Sequence, residues 1–164
     1  MQLDKAVDGR YSVRKFYDKK PNWRDIIEAV DAGRKGPLAG NIPSLKFIII
    51  DDGETIKKLI KASQQGFFSN VHFVVVVCSD PRQQVKSYGE RGEIYTRQQA
   101  GAGIENFLLK LVDLGLGTCW VGAFVDNQVK RILKIPEEVQ VEGIFPIGYP
   151  MLKGKQRQKP HLDN

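Results

Sequence analysis

The segment Val71-His72-Phe73-Val74-Val75-Val76-Val77-Cys78 constrains the fold more than any other part of the chain. It is rich in β-branched residues and apolar at positions that point to both faces of a strand. Such a pattern predicts a strand buried on both sides, in the middle of a sheet. Its unbroken apolar part, Phe73 to Cys78, is the longest in the sequence. That run is far shorter than the roughly 20 residues a membrane helix needs.

The elements around this strand follow from periodicity and punctuation. Gln2 to Gly9 reads as a short helix closed by Gly9. Asn22 is placed to cap a second helix, with Asp25 three residues on and Ile26, Ile27 and Val30 as its apolar stripe. Gly33, Gly36 and Pro37 supply its stop. Pro37 to Pro43 reads as a loop and Phe47 to Ile50 as a buried strand. Glu54 to Gln65 is helical, with Ile56, Leu59 and Ile60 inward. Residues between Cys78 and Glu93 read as a connection of about fifteen residues.

The longest expected helix runs from Glu93 to Leu114. Its apolar set, Ile104, Phe107, Leu108, Leu111 and Val112, is widened by Leu109 and Leu114, so its second half should be buried. The first half contains Ala100-Gly101-Ala102-Gly103. Each interior glycine costs a helix about 1 kcal/mol against alanine, so something should approach that backbone closely. A packed helix and a ligand both satisfy the requirement. Thr118 to Val121 reads as a strand, Gly122-Ala123-Phe124 as a turn, and Asp126 as the cap of a helix ending before Pro136. Val139 to Ile147 is the last strand, and a basic tail begins at Lys153. Helices and strands interleave irregularly, which indicates an α/β or α+β domain.

A length of 164 residues predicts one domain with a full core and no need of disulfide staples. The chain is 41% hydrophobic and 27% charged, the composition of an ordinary globular protein. Cys78 and Cys119 both lie in apolar segments and read as small buried hydrophobes. With no disulfide framework and no apolar signal region, the expected compartment is the cytoplasm. The formal charge is +6, concentrated near Arg10, Arg14, Lys15, Lys19 and Lys20 and again in the tail. That excess favours an anionic partner: a nucleic acid, a membrane surface or a phosphorylated ligand.

Much familiar chemistry is missing from the sequence. His72 and His161 have no companions at metal-ligand spacing. There is no Gly-x-Ser-x-Gly elbow and no Walker loop, and Gly115-Leu116-Gly117 follows a helix rather than a strand, the reverse of a dinucleotide fingerprint. With so little acid–base or nucleophilic apparatus, chemistry would be carried by a cofactor, and no side chain is expected to act as a catalytic acid or base. In an extended Arg10-Tyr11-Ser12-Val13-Arg14 segment, Arg10, Ser12 and Arg14 share one face. Two cations flanking a hydroxyl suit a phosphate, although a solvated basic face reads the same way.

Four segments together resemble the nitroreductase family of FMN-dependent oxidoreductases. They are Arg10 to Phe16, the loop Pro37-Leu38-Ala39-Gly40-Asn41, the stretch Gly115 to Phe124, and Gly148-Tyr149-Pro150 with its basic tail. Tyr88-Gly89-Glu90-Arg91-Gly92 resembles the smaller microbial members. The resemblance implies an α+β fold, a central mostly antiparallel sheet flanked by helices. It also implies a homodimer with FMN at the subunit interface and NADH or NADPH as electron donor. Arg10 and Ser12 would hold the flavin phosphate, and Arg14 would lie near N1 and the C2 carbonyl of the ring. Pro37, Leu38, Ala39 and Asn41 would line the ring from the second subunit. Val121 would pack on the ring, with the Gly122 and Ala123 backbone near N5. Lys155 and Arg157 would close on the phosphate.

The residue chemistry accords with that map. A flavin phosphate carries about two negative charges, and arginine is its natural partner. A cation near N1 stabilises the charge gained on reduction. A glycine at 122 leaves the backbone open to close approach, although a turn would also use one. The chain departs from the family at Leu38, where serine is frequent, and at Pro43-Ser44-Leu45, where Gln-Pro-Trp is frequent. The short stretch before the long helix and the short tail imply a reduced lid and a curtailed C-terminal arm. The implied activity is ping-pong hydride transfer from NAD(P)H to flavin N5, then to a small-molecule acceptor such as a nitroaromatic, quinone or flavin. A flavoprotein on the same scaffold with a different reaction is the alternative. A basic nucleic-acid module is weaker, because no aromatic–basic stacking motif accompanies the charge; neither nucleic acid nor membrane is expected as a partner.

Overall fold

The computed structural model describes residues 2–152, 154, 159 and 160. The valine-rich segment forms β2, Phe73–Ser79, and all of its residues are buried. It lies inside a four-stranded antiparallel sheet with β1 (Leu45–Ile50), β3 (Gly117–Thr118) and β4 (Gln140–Gly148), in the order β1-β2-β4-β3. This is the α+β arrangement expected.

Alternation along β2 divides the core in two. Val74, Val76 and Cys78 face one layer, where Ile56 and Leu59 of α3 (Gly53–Ser63) and Val129 of α6 (Asp126–Leu133) meet them. Phe73, Val75 and Val77 face the other. There they meet Ile26 and Ala29 of α2 (Trp23–Gly33) and Ile104, Phe107 and Leu111 of α5 (Arg91–Asp113). Each fully buried aliphatic side chain contributes roughly 1.5–3 kcal/mol, so a strand with two covered faces dominates the core. The cap that the sequence indicates is present at α2, and a second cap forms at α3. Asn22 accepts a hydrogen bond from Arg24 N at 3.0 Å, and Asp52 accepts one from Thr55 N at 2.8 Å.

The interior glycines of α5 separate into two cases. A Cβ at Gly103 would lie 2.8 Å from the Gly33 carbonyl oxygen and 2.6 Å from Leu45 Cδ1, so Gly103 permits close packing of α2 and β1 on α5. Among the described residues, a Cβ at Gly101 would meet nothing within 4 Å. Helix packing therefore accounts for Gly103 and not for Gly101.

Three expectations are corrected. The stretch between Cys78 and Glu93 contains α4, Arg82–Tyr88, and α5 begins at Arg91. Apolar periodicity misses α4 because its buried residue is Gln84. Asp126 does not cap α6: Val125 holds that position, with its N–H donating to Ala62 O at 2.9 Å. The ladder of β3 stops at Thr118 and resumes only as an isolated pair, Val121 with Ile144. Between them the Trp120 indole crosses β4 and donates from Nε1 to Glu142 O at 2.9 Å. A Cβ at Gly143 would sit 2.6 Å from that nitrogen, so the ring needs the glycine.

After α1 (Leu3–Gly9) an extended arm crosses the sheet edge. Val13 N donates to Thr118 O at 2.9 Å, Tyr17 N to Tyr149 O at 3.0 Å, and Lys15 O accepts from Met151 N at 3.0 Å. A Cβ at Gly117 would lie 2.6 Å from Val13 Cγ2, so that glycine lets the arm seat on β3. Among the described residues, no helix is long and apolar enough to cross a membrane.

Candidate functional site

The arm, β3 and the second half of α5 enclose a cleft of about 930 Å³, within the range of small-molecule and cofactor sites. Arg10, Ser12 and Thr118 give it a polar side, and Leu108, Leu111 and Val112 of α5 an apolar one. Ser12 is bridged in parallel to Thr118, which fixes their spacing. Thr118 Oγ1 is buried and has no hydrogen-bond partner among the described residues. An unused buried hydroxyl is costly, and here it lies in the wall of a cleft. Arg10 Nε stands 3.5 Å from Glu105 Oε1, so a carboxylate shares the cleft with the arginine. Glu105 does not stand out in the sequence, because its significance lies in its contact with the arm, and Thr118 falls within the Gly115 to Phe124 stretch without being singled out as a site residue.

Ser12 and Arg14 also border Cys119. Burial pushes that thiol up from its ordinary value, while the Arg14 charge and a hydrogen bond with Ser12 draw it down. Burial prevails, so Cys119 stays a protonated thiol. Arg14, Val121, Gly122 and Ala123 lie outside the lining of the cleft. Val121 is buried against the sheet, whereas Gly122 and Ala123 are exposed. A Cβ at Gly122 would meet nothing within 4 Å. Among the described residues, no contact requires the glycine.

The loop from Pro37 to Asn41 lies elsewhere on α5. It contains a 3₁₀ turn, Ala39–Asn41, in which Gly40 and Asn41 have φ of 60° and 57°. Pro37 and Asn41 are exposed, and Leu38 and Ala39 are half-buried. Ala39 N donates to Gln99 Oε1 at 3.1 Å. Gln99 precedes the cleft residues Glu105 to Val112 by six to thirteen positions, roughly 9–20 Å along the helix axis. Lys155 and Arg157 lie outside the described residues. The structure thus brings Arg10 and Ser12 together at one cleft, sets Arg14 beside Ser12 at Cys119, and holds the 37–41 loop at another level of the same helix.

The chain is similar to known proteins along most of its length. A "Putative NADH dehydrogenase/NAD(P)H nitroreductase" of Archaeoglobus fulgidus is 30% identical over 151 residues, spanning 89% of this chain and 84% of its own length. An iodotyrosine deiodinase of Thermotoga neapolitana is 24% identical over 157 residues, covering 86% and 84%. The NADPH:FMN oxidoreductase of Vibrio harveyi, solved in complex with NAD+, superposes with a TM-score of 0.85. It shares 18% identity over 98% of this chain and 74% of its own, and so speaks to the fold. The model of the nitroreductase family matches residues 7–70 and 60–149, and the chain belongs to that family.

Proposed function

We propose that the protein is an FMN-dependent NAD(P)H oxidoreductase that works as a homodimer, with one flavin shared between subunits at each of two sites. The observation that carries this reading is the cleft lined by Arg10 and Ser12 opposite the apolar face of α5, with Thr118 in its wall. A guanidinium and a hydroxyl are a fitting donor set for a phosphate. When bound, FMN supplies the redox chemistry, taking a hydride from NADH or NADPH and passing electrons to a nitroaromatic, quinone or flavin acceptor.

The chain's own residues bind and tune. Arg10 and Ser12 hold the phosphate. Arg14, next along the arm, places positive charge beside the pyrimidine edge of the ring and favours its reduced form. Gly122 and Ala123 present open, exposed backbone to the ring and to whatever approaches it. The 37–41 loop is held away from its own subunit's cleft, which supports its lining the second subunit's flavin. Donor and acceptor use the same exposed face in turn, which gives ping-pong kinetics.

Anaerobic titration tests this. The purified protein should be yellow, bleach on addition of NADPH or NADH, and recolour with a quinone. Sedimentation across a dilution series should show the FMN-loaded protein dimeric at concentrations where the apoprotein dissociates, because ligand and dimer stabilise each other reciprocally. A stable monomer that binds FMN as tightly as the dimer would refute the shared site. The similarity to an iodotyrosine deiodinase favours a second reading, a flavoprotein with another reaction. Flavin bleached by dithionite but untouched by NADH and NADPH would select it.

A further inference from the structure

A buried polar assembly lies beneath the loop 37–44, away from the cleft. Gln84 of α4 is fully buried, and Gln99 of α5 and Ser44 are each 4% exposed. Gln84 Nε2 donates to Ile42 O at 3.1 Å and Ala39 O at 3.3 Å. Gln99 Oε1 accepts from Ala39 N at 3.1 Å, and Gln99 Nε2 donates to Ile42 O at 3.3 Å and to the Ser44 hydroxyl. Gln84 Nε2 also lies 3.1 Å from Gln99 Oε1, so its two hydrogens are shared among three acceptors, while Gln84 Oε1 is buried with no partner among the described residues.

Apolar side chains could fill this volume without the cost of desolvating two amides. What the amides add is direction: each grips backbone groups of the loop, on both sides of its left-handed residues. Asn41 has φ 57°, a left-handed conformation that asparagine accepts more readily than most side-chain-bearing residues. Tyr88 of α4 blocks any side chain at Gly40. Two helices thus fix one loop whose outer residues, Pro37 and Asn41, remain exposed.

We propose that Gln84 and Gln99 are positioning residues of the flavin site: they hold the Pro37–Asn41 loop in the conformation that lines the ring. This rests on the reading that the loop contacts flavin. The test uses the full chain with Gln99→Leu, which keeps the bulk and removes the hydrogen bonds, and Gln84→Asn, which withdraws the amide from the loop. FMN dissociation constants and the midpoint potential of bound FMN are measured well below the melting temperature set by circular dichroism. Both variants should bind FMN at least tenfold more weakly and show a displaced potential, which loss of global stability alone would not produce. Should Gln99→Leu fail to fold, Gln84→Asn carries the same expectation. Asn41→Asp, which tolerates the left-handed backbone, tests the underlying reading. It should weaken FMN binding, and less so in the Gln99→Leu background, where the loop is no longer held. If Asn41→Asp weakens FMN but the folded glutamine variants match the parent in affinity and potential, the positioning role is refuted. If Asn41→Asp and the glutamine variants all leave FMN unaffected, the loop is not a flavin contact and both readings fall.

Discussion

Arg10 and Glu105 are expected to act on flavin binding with opposite signs. The Arg10 side chain is 26% exposed and lies 3.5 Å from a Glu105 carboxylate that is 49% exposed. A charge-assisted hydrogen bond contributes about 1.5–3 kcal/mol. Arg10→Ala should therefore weaken FMN binding roughly 10- to 100-fold, at 1.4 kcal/mol per decade. Arg10→Glu also sets a second carboxylate against Glu105 and the phosphate. After screening by solvent this adds about 1–2 kcal/mol, for a total loss of roughly 60- to 4,000-fold. Glu105→Gln frees the guanidinium and removes a negative charge from the cleft. As a half-exposed ion pair is worth only about 0.2–1 kcal/mol, the gain is modest, up to roughly fivefold tighter binding.

The assay is quenching of FMN fluorescence by apoprotein at two salt concentrations. The advantage of the parent over Arg10→Ala should shrink as salt rises, because the contact is half-open to solvent. An Arg10→Glu protein that binds FMN like the parent would remove Arg10 from the phosphate site. A Glu105→Gln protein that loses as much affinity as Arg10→Ala would show that the carboxylate orients the arginine rather than competes for it.

Three further outcomes follow from other parts of the molecule. Arg14→Ala should lower the flavin midpoint potential by roughly 20–40 mV in an anaerobic redox titration, the equivalent of about 1–2 kcal/mol for two electrons; an unchanged potential would displace Arg14 from the ring. Gly103→Ala should destabilise by about 1–3 kcal/mol, because its Cβ meets the Gly33 carbonyl, whereas Gly101→Ala should stabilise by up to about 1 kcal/mol. Thermal melts that shift both variants the same way would contradict the packing. Burial, assisted by Glu142, pushes the Cys78 thiol up to about 11 from 9.0. Between these values the unfolded chain releases a proton that the folded chain keeps, so stability falls as pH rises above about 9. Urea unfolding from pH 7 to 10.5 should show a loss of about 1–2 kcal/mol, absent in Cys78→Ala; equal slopes in the two proteins would refute the linkage.

What the sequence discloses depends on where a residue's partners lie. The Phe73–Ser79 strand is legible because burial on two faces leaves an unbroken apolar run, and the α2 cap because its partner is two residues away. Helix α4 is hidden for the converse reason. Its apolar Val85 is 37% exposed and its buried residue is Gln84, so hydrophobic periodicity points nowhere. The resemblance locates the 37–41 loop, but the glutamines that hold it lie 42 to 60 positions further on, in other elements. Glu105 meets Arg10 from 95 positions away, and the idle hydroxyl of Thr118 has meaning only once the arm lies beside it. A motif marks residues whose role needs only their own segment's conformation. Residues that restrain such a segment from outside are free to come from any element the fold brings near. Gln84, Gln99 and Glu105 are of that second kind, so the variants that separate binding from positioning in this protein lie outside its recognisable motifs.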